Sequence, residues 1–216
     1  TVQSTPPTGI AIGSTTGDGG TTNYAVSSVA YNSSVNLSAP ATDPTGYTFA
    51  RWTLNGTNQT AGAKTLNFNM PAQATTAVAT YTANTYMLSV QDNTSTALPI
   101  GSTTGDGGTT NYSVSAVAYG ASVNLSAPAS DPTGYTFAYW NLNGVNQSAG
   151  VKALIFSMPA QATTAVAVYT LNTYALTVQS TPPTGLTIGS TTGEGGTTNY
   201  TVSGVAYNSS VNLSAP

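Results

Sequence analysis

The chain of 216 residues contains no cysteine and no histidine. The first absence excludes disulfides, thiolate metal ligands and thiol nucleophiles. The second removes the side chain most often used for proton transfer near neutral pH. Charge is scarce as well: charged residues make up 4% of the sequence, against about 25% in ordinary soluble domains. Three bases (Arg51, Lys64, Lys152) stand against six acids (Asp18, Asp43, Asp92, Asp106, Asp131, Glu194). So few cations cannot neutralise a phosphate backbone, which excludes nucleic acid as a partner. No apolar run approaches the roughly 18 residues of a membrane-spanning helix. No leader or sorting motif is visible within this stretch, and any such signal would lie outside it. Acid–base catalysis with two convergent carboxylates in one repeat would require Asp18 to approach Asp43. The expectation is a protein without enzymatic activity and without a cofactor.

What the chain has is repetition. The block G-S-T-T-G-D/E-G-G-T-T-N-Y begins at Gly13, Gly101 and Gly189, in steps of 88 residues. Thr1 to Gly9 returns letter for letter at Thr177 to Gly185. A fixed long period is the mark of an array of modules. The period sets repeat 1 at residues 1–83, with its first strand shortened, repeat 2 at 84–171, and repeat 3 at 172–216, without its C-terminal half. The window thus respects no repeat boundary. It reads as part of a longer regular polymer, its third repeat completed by further chain or by a partner. Four-residue linkers such as Thr82 to Thr85 and Thr170 to Thr173 restrict how neighbouring repeats are oriented.

Thr, Ser, Asn, Gly and Val dominate, and these residues favour strands and turns over helix. In repeat 2 the pattern predicts strands near Tyr86–Gln91, Thr110–Val117, Ser122–Ala127, Gly134–Leu142, Lys152–Met158 and Ala165–Tyr169. Short strands at this spacing predict an all-β fold, a tandem array of small β modules of sandwich-like layering unless the resemblance given below makes them β-grasp-like. Gly17-Asp18-Gly19-Gly20 reads as a tight turn requiring positive φ.

The copies identify buried faces. Leu66, Phe68 and Met70 recur as Leu154, Phe156 and Met158, whereas Thr65, Asn67 and Asn69 become Ala153, Ile155 and Ser157. A strand with one core face varies in this alternating way. The predicted core is Leu37, Phe49, Trp52, Leu66 and Phe68, with Leu125, Phe137, Trp140, Leu154 and Phe156 in repeat 2. In Gly46 to Leu54, Tyr47 and Phe49 share one parity while Trp52 and Leu54 share the other. A bulge near Ala50-Arg51 would reconcile them and leave Arg51, which becomes Tyr139, toward solvent.

Tyr31 to Pro40, Gly46-Tyr47-Thr48-Phe49-Ala50-Arg51-Trp52, Met70-Pro71-Ala72 and Val78-Ala79-Thr80-Tyr81 resemble the bacterial repeat domain of the divergent internalin B-repeat type. The G-Y-T-F-x-x-W core is the most specific element. The resemblance covers most of the two complete repeats and the first half of the third. It implies small, mainly β modules related to a β-grasp, in long arrays on secreted bacterial surface proteins, without enzymatic activity. The stretch from Ser4 to Tyr24 is a longer Gly/Thr-rich excursion than that family leads one to expect.

Several residues invite functional readings. Asp18, Asp106 and Glu194 are candidate calcium ligands, although each turn supplies a single carboxylate where calcium takes several oxygens. Trp52 and Trp140, with Tyr24, Tyr31 and Tyr47, are candidates for a glycan-stacking platform, against the commoner use of such rows as packing. Lys64 and Lys152 lie on the apolar parity of their strands. Three arrangements are open to them: a lysine snorkelling to solvent, an ion pair with Asp43 and Asp131 or with Asp18 and Asp106, or an isopeptide crosslink that would remove a water or an ammonia from the mass. Asn-X-Ser/Thr triplets such as Asn36-Leu37-Ser38 and Asn58-Gln59-Thr60 arise readily in so Asn- and Thr-rich a chain. The expected role is structural: a segment of a long extracellular bacterial surface protein, forming an adhesin shaft or a self-associating fibre or sheath. Its partner would be further copies of itself, since a hydroxyl- and amide-rich surface repels its copies only weakly. The alternative is a glycan-binding repeat that uses exposed Trp and Tyr.

Overall fold

A computed structural model describes residues 1–94 and 96–216. Repeat 1 contributes β1 (Val2–Thr5), β2 (Ala11–Ile12), β3 (Gly20–Thr21), β4 (Ser34–Ser38), β5 (Tyr47–Leu54), β6 (Thr57–Asn58), β7 (Thr65–Asn69) and β8 (Ala77–Ala83). Repeat 2 contributes β9 (Thr85–Asp92), β10 (Pro99–Ile100), β11 (Gly108–Thr109), β12 (Tyr112–Ala118), β13 (Ser122–Ser126), β14 (Tyr135–Leu142), β15 (Val145–Asn146), β16 (Ala153–Ser157) and β17 (Thr163–Leu171). Repeat 3 contributes β18 (Thr173–Val178), β19 (Thr187–Ser190), β20 (Gly196–Thr197), β21 (Tyr200–Ala206) and β22 (Leu213–Ser214). The protein is all-β: the described residues form no helix, and so none long and apolar enough to cross a membrane. The helix of a full β-grasp is therefore not part of either complete repeat, and the layering is sandwich-like.

In repeat 1 a mixed sheet runs in the order β1-β8-β5-β6, and β4 pairs with β7 as a separate antiparallel ribbon. The first and last long strands of the repeat, β1 and β8, are parallel, with Val2 opposite Ala77 and Ser4 opposite Ala79. The core lies between sheet and ribbon, where Val35 and Leu37 meet Phe49, Trp52, Leu66, Ala79 and Tyr81. In the ribbon, Leu37 faces Leu66 and Val35 faces Phe68. Leu66 is buried while Thr65 and Asn67 are exposed, as the variation between copies requires. Phe68 and Phe156 are half-buried rather than enclosed. Phe68 explains why: only one pair, Ser34–Asn69, lies between it and the ribbon's end.

The parity conflict in β5 is resolved by a bulge. The register of β5 on β8 shifts between Phe49 and Arg51, and that of β14 on β17 shifts between Phe137 and Tyr139. One extra residue turns two side chains three positions apart to the same face. Phe49 and Trp52 are consequently both buried, with ring centroids 6.1 Å apart, and Phe49 also meets Tyr81 edge-on at 5.4 Å. Arg51 and Tyr139 are half-exposed.

Repeat 2 reproduces the plan with a longer sheet, ordered β12-β9-β17-β14-β15, and the ribbon β13-β16. Contacts sort the chain into two compact units that do not follow the sequence period. The first is Thr1–Leu88 with Val114–Ser122 and Ser157–Thr163. The second is Ser89–Ser113 with Val123–Phe156 and Thr164–Pro216. In the second unit Val123, Leu125, Phe137, Trp140, Leu154 and Tyr169 are all buried. Repeat 3 supplies that unit with β18 paired to β21 and with β19 between β20 and β22. Leu213, the counterpart of the buried Leu37 and Leu125, is 39% exposed there.

Candidate functional site

Three groups of polar side chains recur with the period. The first is the turn built on Ser14 and Asp18. Ser14 Oγ accepts hydrogen bonds from the Thr16 and Asp18 amides, and Thr16 Oγ1 donates to Asp18 Oδ2 at 2.5 Å. Thr16 Oγ1 accepts in turn from the Asn36 amide, which ties the turn to β4. Tyr24 Oη donates to the Asp18 carbonyl at 2.6 Å. Asp106 and Tyr112 repeat these bonds, and Tyr200 donates to the Glu194 carbonyl. Burial, followed by the Asp106 charge, pushes the Tyr112 hydroxyl up to about 12. Among the described residues no three His, Cys, Asp or Glu side chains converge as metal ligands. Each turn offers one carboxylate, which accepts a hydroxyl of its own turn, Thr16 for Asp18, Thr104 for Asp106 and Ser190 for Glu194, so the three act in the structure as turn-closing acceptors.

The second group contains the two lysines. Lys64 Nζ lies 2.8 Å from Asp43 Oδ1, and Lys152 Nζ lies 2.7 Å from Asp131 Oδ1. These are ion-pair distances. The aimed hydrogen bonds of the ammonium groups go to carbonyls: Lys64 to Ala41, and Lys152 to Pro128 and Ala129. Lys64 immediately precedes β7, so its stem follows the apolar parity while its head clears the core. The lysine partner, aided by the Phe49 amide, holds the Asp43 carboxyl below the usual range, and Lys152 with the Phe137 amide does the same for Asp131. Near each pair a tyrosine hydroxyl is buried without a hydrogen-bond partner among the described residues, Tyr81 in repeat 1 and Tyr169 in repeat 2. Burial, then the charges of Asp131 and Asp92, push the Tyr169 hydroxyl up to about 12.

The third group was not anticipated from composition. Thr22 is buried; its Oγ1 is 2.6 Å from Ser4 Oγ and accepts the Ile10 amide at 2.9 Å. Thr110 and Thr198 hold the same place, with Asp92 and Ser180 in the role of Ser4. Its signal in the sequence is the invariant Thr-Thr-Asn-Tyr at positions 21, 109 and 197, where strand alternation alone would have allowed other polar residues.

The aromatic rows do not form a platform. Trp52 and Trp140 are 0% and 1% exposed, and their indole nitrogens donate to the Lys64 and Lys152 carbonyls. A glycan cannot stack on rings that are enclosed by core and hydrogen-bonded inward, so both tryptophans are the core residues the alternation predicts, and the alternative of a Trp platform does not apply to them. A shallow open cleft beside Val2, Val26, Phe68 and Met70 has mostly apolar walls, with Thr1, Asp18 and Thr75 its polar contributors.

The fold and its recurrent G-Y-T-F-x-x-W core agree with one family. A family model described as the divergent InlB B-repeat domain matches residues 10–85 and 98–173, more than half of the chain. The chain belongs to this family. The two matched stretches of the divergent InlB B-repeat domain are offset by the same 88 residues as the sequence period and hold both Trp-centred cores. No curated protein and no solved structure matches the chain.

Proposed function

We propose that this tandem divergent InlB B-repeat chain is a structural segment of a bacterial surface protein, a shaft that spaces or displays other parts. The observation that carries the reading is how each repeat uses its side chains. The large Trp and Phe residues go into two like cores, the lysines pair with Asp43 and Asp131, and Asp18, Asp106 and Glu194 close turns. A chain that spends its reactive groups on its own folding has none converging on a substrate. The surface that remains is rich in hydroxyls and amides and poor in charge, which favours association between copies. Among the described residues Tyr31 and Tyr174, 74% and 53% exposed, are the most exposed aromatic side chains, whereas both tryptophans are buried.

The test is immunogold electron microscopy of intact cells of the source bacterium with antibodies to the folded chain. Label on extended surface structures is the expected result. Label confined to the cell interior would refute the reading, and saturable binding of a glycan by the purified chain would move it to the ligand-binding class.

A further inference from the structure

Each complete repeat closes on a glycine with an unusual neighbour. Gly46 is buried at φ 78°, and a Cβ built on it would lie 2.2 Å from Cδ1 of Tyr119. No side chain fits at that distance, so the tyrosine ring occupies the space that any other residue would fill. The same ring meets Tyr47 edge-on at 5.3 Å. Backbone and side chains complete the arrangement through the linker residue Asn84. Its amide donates to the Gly46 carbonyl and its own carbonyl accepts the Tyr119 amide, each at 2.8 Å. Thr48 Oγ1 donates to Asn84 Oδ1 at 2.6 Å.

The arrangement recurs in full. Gly134 stands at φ 81°, with its virtual Cβ 2.0 Å from Cδ1 of Tyr207. The Asn172 amide donates to the Gly134 carbonyl, the Tyr207 amide donates to the Asn172 carbonyl, and Thr136 Oγ1 donates to Asn172 Oδ1. The first arrangement lies wholly inside the first compact unit and the second wholly inside the second. In both, the tyrosine belongs to the repeat that follows the glycine in sequence.

We propose that Gly46, Asn84 and Tyr119, and again Gly134, Asn172 and Tyr207, form an inter-repeat clasp. It is an interaction site in which one repeat takes into a glycine socket the tyrosine of the next. The partner it fits is another repeat of this type, recognised by an aromatic ring set on a tight turn and by the free amide beside it. Tyr31 is the same tyrosine in repeat 1. Its turn is fully built, with the Asn32 amide donating to the Met70 carbonyl as the Gly120 amide does to Met158. Yet Tyr31 is 74% exposed, whereas Tyr119 and Tyr207 are half-buried. Tyr31 is therefore the tyrosine half of the clasp, and the partner that fits it is the Gly-Tyr-Thr and linker Asn of a further repeat. The clasp holds whether or not the protein resides on a cell surface.

Tyrosine-directed chemical footprinting of the full chain, read by mass spectrometry, tests this. Tyr31 should react about tenfold faster than Tyr119 and Tyr207, as ring burial in a fixed contact dictates. Gly46→Ala should raise the reactivity of Tyr119 alone, and Gly134→Ala that of Tyr207 alone. Should an alanine variant fail to fold, shown by altered Trp emission, Tyr119→Ala set against Tyr31→Ala replaces it. The first should speed exchange of the backbone amide at position 119 about tenfold or more, and the second should leave that amide unchanged. Fusing the sequence of residues 89–176 ahead of Thr1 should lower Tyr31 reactivity to the level of Tyr119. Equal reactivity of the three tyrosines in the native chain, or a Tyr31 that stays reactive in the fusion, would overturn the clasp.

Discussion

A single hydroxyl does much of the polar work inside each repeat. Thr22 joins Ser4 in β1 to the Ile10 amide from within the fold. Replacing it with isosteric valine leaves the Ile10 amide short of an acceptor and Ser4 short of a partner. Thr22→Val should cost about 1–3 kcal/mol, the usual penalty for stranding buried polar groups, read from the urea midpoint. A Thr22→Ser variant should recover most of that loss. The ion pairs have a smaller and pH-dependent effect. The Asp43 and Asp131 carboxyls are held low by their lysines, so the folded state binds protons less readily than the unfolded chain. That stabilisation is present above the unfolded value of about 4 and is lost as pH falls through the lower folded value. Because the paired side chains are 26–31% exposed, each pair contributes about 0.5 kcal/mol. Lys64→Met should therefore flatten the acid limb of stability below about pH 4, where the free carboxyl titrates, while changing the midpoint at pH 7 only slightly. At the alkaline end the sign reverses. Tyr112 and Tyr169, raised to about 12, stay protonated in the fold, and stability declines as pH rises beyond about 10, where free tyrosine ionises.

Among the elements, β7 and β16 separate what the fold demands from what it tolerates. Leu66→Ala empties a buried site opposite Leu37 and should cost about 2–5 kcal/mol. Asn67→Ile, which copies the exposed Ile155 of the second repeat, should change stability by less than about 0.5 kcal/mol. Thermal unfolding of the two variants checks the contrast; equal losses would mean that β7 is not a one-faced strand. Alternation of this kind made the ribbon strands and most core residues legible from the sequence, and the parity conflict in β5 located its bulge. The parallel pairing of β1 with β8 was not legible, because nothing in either strand encodes which of two distant partners it will choose. The Thr22 network escaped notice for a related reason. A buried threonine and an exposed one are the same letter, and only the pairing of β1 with its neighbours decides between them. The ion pairs were legible as one of several arrangements, since three bases and six acids leave few combinations.

At the scale of the molecule, the two complete repeats are alike inside and differ outside. Val151 and Ile155, 50% and 67% exposed, line one shallow depression on repeat 2, where repeat 1 carries Ala63 and Asn67. In repeat 1 the Asn67 side chain accepts a hydrogen bond from Asn36 at 2.6 Å, and Asn124 stands where Asn36 does. If copies associate laterally, the exposed Val151 and Ile155 side chains are apolar groups that gain from leaving water. Ile155→Asn should weaken concentration-dependent association in sedimentation velocity while leaving the folded monomer intact. Unchanged association would place lateral contacts elsewhere on the surface.

The position of the basic residues has a further consequence. A protease that cuts after lysine or arginine must draw several residues of extended backbone into its cleft, and this chain offers three such bonds in 216 residues. The carbonyl after which each lysine would be cut is already taken twice: at Lys64 by the Trp52 indole and the Ala39 amide, at Lys152 by the Trp140 indole and the Ala127 amide. The third bond follows Arg51, inside β5 and opposite Thr80 of β8. The hydrogen bonds that hold tryptophan in each core thus also shield the lysine bonds, so digestion by a trypsin-like enzyme has to wait for the repeat to open.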